Sequence, residues 1–449
     1  MFAWYRKAKV CFVFLADKSG HKIAGDAWFE RGWTLQELIA PKSMVFFNKS
    51  WQNIGTKDSR LDELSKITSV SAQVLSHETP LSSVCLAQRL SWAAKRETTR
   101  VEDKAYCLLG ILDINMPPLY GEGEKAFYRL QEEVVKSTSD LSILAWSPAS
   151  PQGMDCCGFF AQSPDDFQAC SAMELLPDAS LDTDEIVISG KGLVVTTPEY
   201  IVVSKKKQSA VQHQYALKLP CKKPGLKGDF YTVTMRKIGP NVFVRTKWAG
   251  TDSFKPVPVR FGENERKTFV LLTKIPWAGS PLQSIVSSTR YTQVDIKITG
   301  WPPKTRMVEM PLRAWDVQDK AFFGTSTSLQ NWGAISFNER LFFVCIWSQA
   351  RVQEGVKWVF EGFLVDRNSE GMDHVWRDLF LYGETFGFRA GSVRTMLENK
   401  QGGDQGGLEF VNSGVSRRIT FECRLSMDPA VCRGPRWVVQ IETGTVDRV

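Results

Sequence analysis

The chain has 449 residues, 43% of them apolar and 23% charged, a composition that excludes a disordered chain and a length that exceeds one ordinary core, so two or three domains are expected. The net charge of +7 and pI near 8.8 come from dispersed residues. The densest run, Lys205-Lys206-Lys207 with Lys222-Lys223 and Lys227 beyond it, has neither the basic stripe nor the stacking aromatics of a nucleic-acid face. It reads as the solvated edge of a β-hairpin, where lysines discourage edge-to-edge pairing. The ten cysteines are irregularly spaced with no CxxC, which predicts reduced thiols and a cytoplasmic chain rather than a disulfide framework.

In chain order, the opening MFAWYRKAKVCFVFLADKSG imitates a signal peptide. Its apolar run, Val10 to Ala16, spans only seven residues and ends in Asp17-Lys18 without a small-x-small cleavage site. A buried strand covered on both faces, as in a parallel sheet, fits it better. No run approaches the ~20 apolar residues of a membrane span. Trp33 to Ile39 predicts a short helix stopped by Pro41, and Met44 to Phe47 a second strand. Thr99-Arg-Val-Glu102 has the form of a capping box opening a helix with Ala105, Leu108, Leu109 and Leu112 on one face. A second helix follows the turn Gly121-Glu-Gly123-Glu, with Ala126, Phe127, Leu130 and Val134 on its apolar stripe.

From 147 to 184 the chain is rich in Pro, Ser, Asp and Gly and reads as a linker with at most one short helix. Beyond Glu185 the period changes to two, in EIVISG, GLVVTT, YTVTMRK, NVFVRTKW, TFVLLTKI, VDIKITG, RLFFVCIW, VKWVFEGFLV, RRITFECRL and RWVVQIET. These predict antiparallel sandwich- or barrel-like units, with their tryptophans mostly in the core. Gly402-Gly403 and Gly406-Gly407 suggest a flexible loop.

WFERGWTLQELIAP (28–41), LSWAAKRETTRVEDKAYCLLGILDINMPPLYGEGEKAFYRLQEEVVK (90–136) and SDLSILAW (139–146) resemble fungal vegetative-incompatibility proteins of the heterokaryon-incompatibility (HET) family. The resemblance spans about the first third of the chain and rests on several ordered motifs. It implies a role in nonself recognition and programmed cell death. It also implies a segment ahead of MFAWYRKAKVCFVFLAD, so the chain is expected to be N-terminally truncated. The expected plan is α+β: residues 1–80 as the C-terminal part of a HET (TIR-like) α/β domain, 81–146 as a helical segment, 147–184 as linker, and 185–449 as antiparallel β-rich domains.

HET domains are similar in turn to TIR domains, whose strand–loop–helix reads W-C-L-x-E-L. Here VCFVFLA is followed by Trp33-Thr-Leu-Gln-Glu37-Leu38. Trp33 and Glu37 stand four apart, on one helix face. The resemblance implies Glu37 as the catalytic carboxylate of an NAD glycohydrolase and Trp33 as a nucleotide contact. A carboxylate there can hold ribose hydroxyls and stabilise the cationic sugar left by nicotinamide. The plain alternative makes Trp33 and Leu38 core and Glu37 an exposed helix residue. With the first strands absent, activity is expected to need their restoration. A third reading is a β-rich binding module without effector output.

His21, His77, His213 and His374 are not spaced as metal ligands. Gly121-Glu-Gly123-Glu lacks the GK[ST] ending of a phosphate loop. No metal or other cofactor is called for, and the expected partners are proteins, including a second copy of the chain.

Overall fold

Helix and strand alternate over the first 47 residues. The computed structural model describes residues 1–16, 22–148, 156–176, 185–190, 192–197, 199–207, 210–224, 231–239, 241–246, 257–260, 267–273, 293–299, 308–310, 315–316, 321–323, 330–337, 341–352, 355–380, 390–397, 405–412, 415–426 and 436–445. They divide into Met1–Arg236 with Phe243–Lys274, and Lys237–Val242 with Ile275–Val449. His21 and the Gly402-Gly403 pair lie outside the described residues.

In the first unit, α1 (Phe2–Lys7) leads into β1 (Cys11–Phe14), then α2 (Thr34–Ile39) and β2 (Met44–Phe47). β1 and β2 are parallel, with Cys11 opposite Met44 and Phe14 opposite Phe47. Parallel neighbours need a crossover, and α2 supplies it. Leu35, Leu38 and Ile39 of α2 are buried in the same cluster as Val13, Leu15, Met44 and Phe46. β3 (Asn53–Thr56) pairs antiparallel on the far side of β2, with a bulge at Phe46/Phe47. The expectation of a strand covered on both faces fails. Val13 and Leu15 are buried with α2, but Phe12 is 68% and Phe14 38% exposed, so among the described residues their face of the strand is left uncovered.

Helices α3 (Leu61–Thr68), α4 (Ala72–Leu75) and α5 (Leu86–Ser91) follow. The N-terminus of α5 has no cap of its own. Asp140 accepts the Leu86 amide at 2.7 Å and Ser142 Oγ the Ala87 amide at 3.1 Å, which satisfies orphan donors and sets a carboxylate at the positive helix end. The predicted helix after Thr99 is two separate turns, α6 (Asp103–Tyr106) and α7 (Leu109–Leu112). The cause is visible in the hydrogen bonds. The Cys107 carbonyl accepts from Gln36 Nε2 at 2.6 Å, while the Ile111 amide turns to Leu108 O. The capping box of Thr99 and Glu102 also fails: α6 begins at Asp103 without a side-chain cap, and Glu102 is used elsewhere. Helix α8 (Lys125–Ser137) buries Ala126, Phe127, Leu130 and Val134 as its periodicity predicts.

Within 147–184, β4 (Cys156–Cys157), a 3-10 helix over Pro164–Cys170 and β5 (Glu174–Leu175) are present. The 3-10 helix opens with a capping box of Ser163 and Asp166. Next come β6 (Glu185–Ser189), β7 (Gly192–Thr197), β8 (Glu199–Lys207), β9 (Ala210–Leu219), β10 (Cys221–Lys222), β11 (Tyr231–Gly239), β12 (Val242–Thr246), β13 (Val257–Arg260) and β14 (Lys267–Leu271). β10 pairs with β5. The others, with β4 on β12, form an open nine-stranded sheet in the order β13-β8-β9-β11-β12-β14-β7-β6. Lys205 to Lys207 fall at the tip of the β8–β9 hairpin. Leu193, Val195, Leu217, Val233 and Phe243 of this sheet share one apolar cluster with Leu130 and Phe127 of α8. Arg245 of β12, 5% exposed, donates to the carbonyls of Leu144 and Trp146 and lies 4.0 Å over the Trp146 ring. Buried charge is tolerable there because the guanidinium is hydrogen-bonded and stacked.

The second unit contains β15 (Gln293–Thr299), β16 (Val308–Met310), β17 (Trp315–Asp316), β18 (Ala321–Phe323), β19 (Gln330–Ser336), β20 (Leu341–Val352), β21 (Gly355–Asp366), α9 (Met372–Phe380), α10 (Ala390–Met396), β22 (Gln405–Asn412), β23 (Val415–Ser426) and β24 (Arg436–Thr445). A six-stranded sheet, β17-β18-β15-β24-β23-β22, and a four-stranded one, β16-β19-β20-β21, are both open. Phe343, Cys345 and Trp347 of the smaller sheet meet Phe322, Ile419, Phe421 and Ile441 of the larger in one buried layer. Phe342, Val344 and Ile346 face the other way, against Val375, Leu379 and Phe380 of α9 and Val393 of α10. This is a sandwich with a helical cover; no barrel closes among the described residues. Two departures from expectation stand out: β15 and β24 are parallel, and Gly406-Gly407 lie in β22, paired with Phe421 and Thr420, rather than in a loop. Close approach explains the strand glycine Gly362, where an added Cβ would sit 2.5 Å from the Phe421 ring.

The thiols of Cys107, Cys170, Cys221 and Cys345 are free and buried. Burial pushes Cys107 and Cys170 up to about 12 and raises Cys221 and Cys345 as well.

Candidate functional site

Residues 28–41 and 90–123, far apart in sequence, dock on each other. The backbones of Arg31 and Glu97 form a parallel bridge: Gly32 N–H donates to Glu97 O at 2.8 Å and Glu97 N–H to Glu30 O at 2.6 Å. A Cβ at Gly32 would sit 2.5 Å from Thr98 Cγ2, so any larger residue there must displace the Thr98 side chain. Arg96, 7% exposed, donates to Trp92 O at 3.0 Å, Arg31 O at 2.9 Å and Thr34 Oγ1 at 3.3 Å. Burial lowers its pKa to about 10. Gln36 completes the joint through Cys107 O. A cavity of about 10 Å³ beside Arg96, Thr98 and Cys107 has room for about one water molecule.

The predicted carboxylate Glu37 lies half-buried on α2. Tyr5 Oη of α1 donates to its Oε1 at 3.1 Å. Burial, then the charge of Glu37, pushes the Tyr5 phenol above its ordinary range, and the same two causes raise the Cys11 thiol. Trp33 occupies the N-cap position of α2 and is half-buried against the core. The structure therefore brings Glu37 together with Tyr5, a pairing no sequence pattern announces. Lys57, 0% exposed, donates to Pro41 O at 2.7 Å and Ile39 O at 3.5 Å. His77 Nε2 lies 2.9 Å from the same Ile39 carbonyl. The lysine caps the negative end of α2, and desolvation there lowers its pKa to about 8.

A second polar cluster pins the loop 117–124. Glu102 accepts the amides of Gly121 at 2.7 Å and Gly123 at 3.1 Å. Both glycines have positive φ, +102° and +62°, a conformation glycine adopts without penalty. The bonds from its own, Gly121 and Gly123 amides hold the Glu102 carboxyl below its ordinary range. Tyr106 Oη donates to Glu122 Oε1 at 2.6 Å and accepts the Leu119 amide at 2.7 Å. Arg129 of α8 closes on Glu122 at 2.5 Å, and Tyr120 Oη donates to Asp103 Oδ1 at 2.9 Å beneath Arg100. Sequence reading placed Glu102 in a cap and the Glu122 region at a helix start; the clamp between them went unseen. Among the described residues no group of His, Cys, Asp and Glu is arranged to hold a metal.

One stretch of the chain has a recognisable relative. That relative is a fungal vegetative incompatibility protein. Over 157 aligned residues the chain is 41% identical to vegetative incompatibility protein HET-E-1 of Podospora anserina, covering 32% of this chain and 12% of that protein. The chain thus matches only a small part of the relative's length. No family model and no solved structure matches the chain.

Proposed function

We propose that this chain is an incompatibility-type protein that acts in fungal nonself recognition and signals programmed cell death from the cytoplasm. The 41% identity to the Podospora protein carries the reading. The buried joint of Arg96, Thr34 and Gln36 supports it by making the resembling segments parts of one core. Protein partners, including self-association, fit this role. No helix among the described residues is long and apolar enough to cross a membrane. Induced expression of the full chain in a filamentous fungus is expected to arrest growth and admit a vital dye. Gln36→Leu, which strands the Cys107 carbonyl at a cost of ~1–3 kcal/mol, is expected to reduce the response in proportion to lost folded protein. Normal growth at high expression of folded protein would contradict the reading.

A second reading follows from Glu37. A half-buried carboxylate already holding a hydroxyl, that of Tyr5, has the chemistry to hold a ribose hydroxyl and cleave NAD. The readout of this reading is nicotinamide release from NAD, and Glu37→Ala is expected to abolish any release the wild type gives, with unchanged circular dichroism. Equal turnover in the variant would remove Glu37 from the mechanism.

A further inference from the structure

Pro117, Pro118, Leu119 and Tyr120 are exposed in succession, with Leu119 at 52% and Tyr120 at 51%. Residues 114–119 belong to neither helix nor strand. Each proline fixes its own φ at about −65° and keeps the residue ahead of it extended, so 116–118 is biased toward a polyproline helix. The protein grips this run by its backbone. Arg129 donates to Pro117 O at 2.9 Å, and Tyr106 Oη accepts the Leu119 amide at 2.7 Å. Beyond Tyr120 the chain turns away through Gly121, whose amide is held with that of Gly123 by Glu102. A Cβ on either glycine would meet nothing within 4 Å, so the space beside the run is open. Tyr120 is set by its own bond to Asp103 at 2.9 Å and by Arg100, 4.6 Å over its ring.

A polyproline helix repeats every three residues, which returns Tyr120 to the side of Pro117 and turns Leu119 elsewhere. Adjacent proline rings with a tyrosine on the same side fit a groove lined by aromatic side chains. Such segments gain affinity from being ordered before they bind, and the clamp on this loop supplies that order. We propose that residues 117–120 are a preformed docking motif for a partner bearing a WW domain, the small β-sheet module that reads Pro-Pro-x-Tyr. Its aromatic slot takes the rings of Pro117 and Pro118. Its second pocket takes Tyr120, which exchanges the surface bond to Asp103 for contacts there. An SH3 groove asks for prolines three apart, and this loop has only the adjacent pair. Charges along 100–125 are mixed, Arg100, Lys104 and Lys125 with Asp113, Glu122 and Glu124, so a nucleic acid or an anionic membrane finds no face of one sign. The docking does not rest on the incompatibility reading.

The full chain is titrated against a fluorescently labelled WW domain that binds Pro-Pro-x-Tyr peptides, with the free peptide MPPLYGEG, residues 116–123, as reference. The chain is expected to bind at least as tightly as the peptide, and the peptide to displace it. Tyr120→Ala and Pro118→Ala are each expected to weaken binding at least about tenfold, and Leu119→Ala to change it by less than about twofold. Circular dichroism is expected to be the same for all three variants. A folded chain that leaves the WW domain free while the peptide binds it would overturn the proposal, as would undiminished affinity in Tyr120→Ala. Self-association that Tyr120→Ala removes, without any binding of the WW domain, would overturn it in favour of a second copy.

Discussion

Lys57 shows how a single side chain serves the site through its neighbours. Its ammonium terminates α2 from inside the core, and desolvation lowers its pKa to about 8, against ~10.4 in an unfolded chain. Because the folded value is depressed, the unfolded chain binds the proton more tightly between those two values. The cost of burying the charge is therefore present below about 8 and relieved as pH rises toward ~10.4. The stability of the wild type minus that of Lys57→Met is expected to rise across this window, read from melting temperatures at each pH. A flat difference would mean that the ammonium is solvated. Glu37, by contrast, was legible as a helix residue, but its phenolic partner was not. Tyr5 comes from another helix, 32 positions away, and no periodicity encodes that distance.

At the level of elements, local pattern predicted what local forces decide. α2, α8 and the strands of period two form where expected, because their apolar stripes match 3.6 and 2. Two of the failures share one cause: polar side chains recruited by distant backbone. Gln36 takes the carbonyl that would have continued α6 into α7, and Glu102 leaves its supposed cap for Gly121 and Gly123. α9 was also missed, although Met372, Val375 and Leu379 follow helical spacing, because strands surround it. The clamp on the 117–124 loop gives a pH prediction of opposite sign to that of Lys57. Its carboxyl sits below the unfolded value of ~4.3, so its contribution is present above that value and fades as pH falls below it. The melting-temperature difference between wild type and Glu102→Gln is expected to be greatest near neutrality and to shrink in acid.

For the whole molecule, division into two compact units means that damage to one core stays local. Leu130 and Trp347 are 0% and 1% exposed, one in each unit. Leu130→Ala is expected to cost ~2–5 kcal/mol and Trp347→Ala about 3–5 kcal/mol. Scanning calorimetry should show each lowering one transition and leaving the other in place; a single shared transition would show cooperativity between the units. Composition and period revealed the change from helix to sheet near 185. They could not reveal that the nine-stranded sheet shares a core with α8, since the buried contacts join residues on both sides of that boundary.

The buried thiols supply a clock for these motions. A thiol alkylates only as thiolate and only when reached by reagent, so Cys107, Cys170 and Cys221 in one unit and Cys345 in the other must wait for the structure around them to open. Mapping which of them is modified first, and how fast, would time the breathing of each unit separately, without any introduced label.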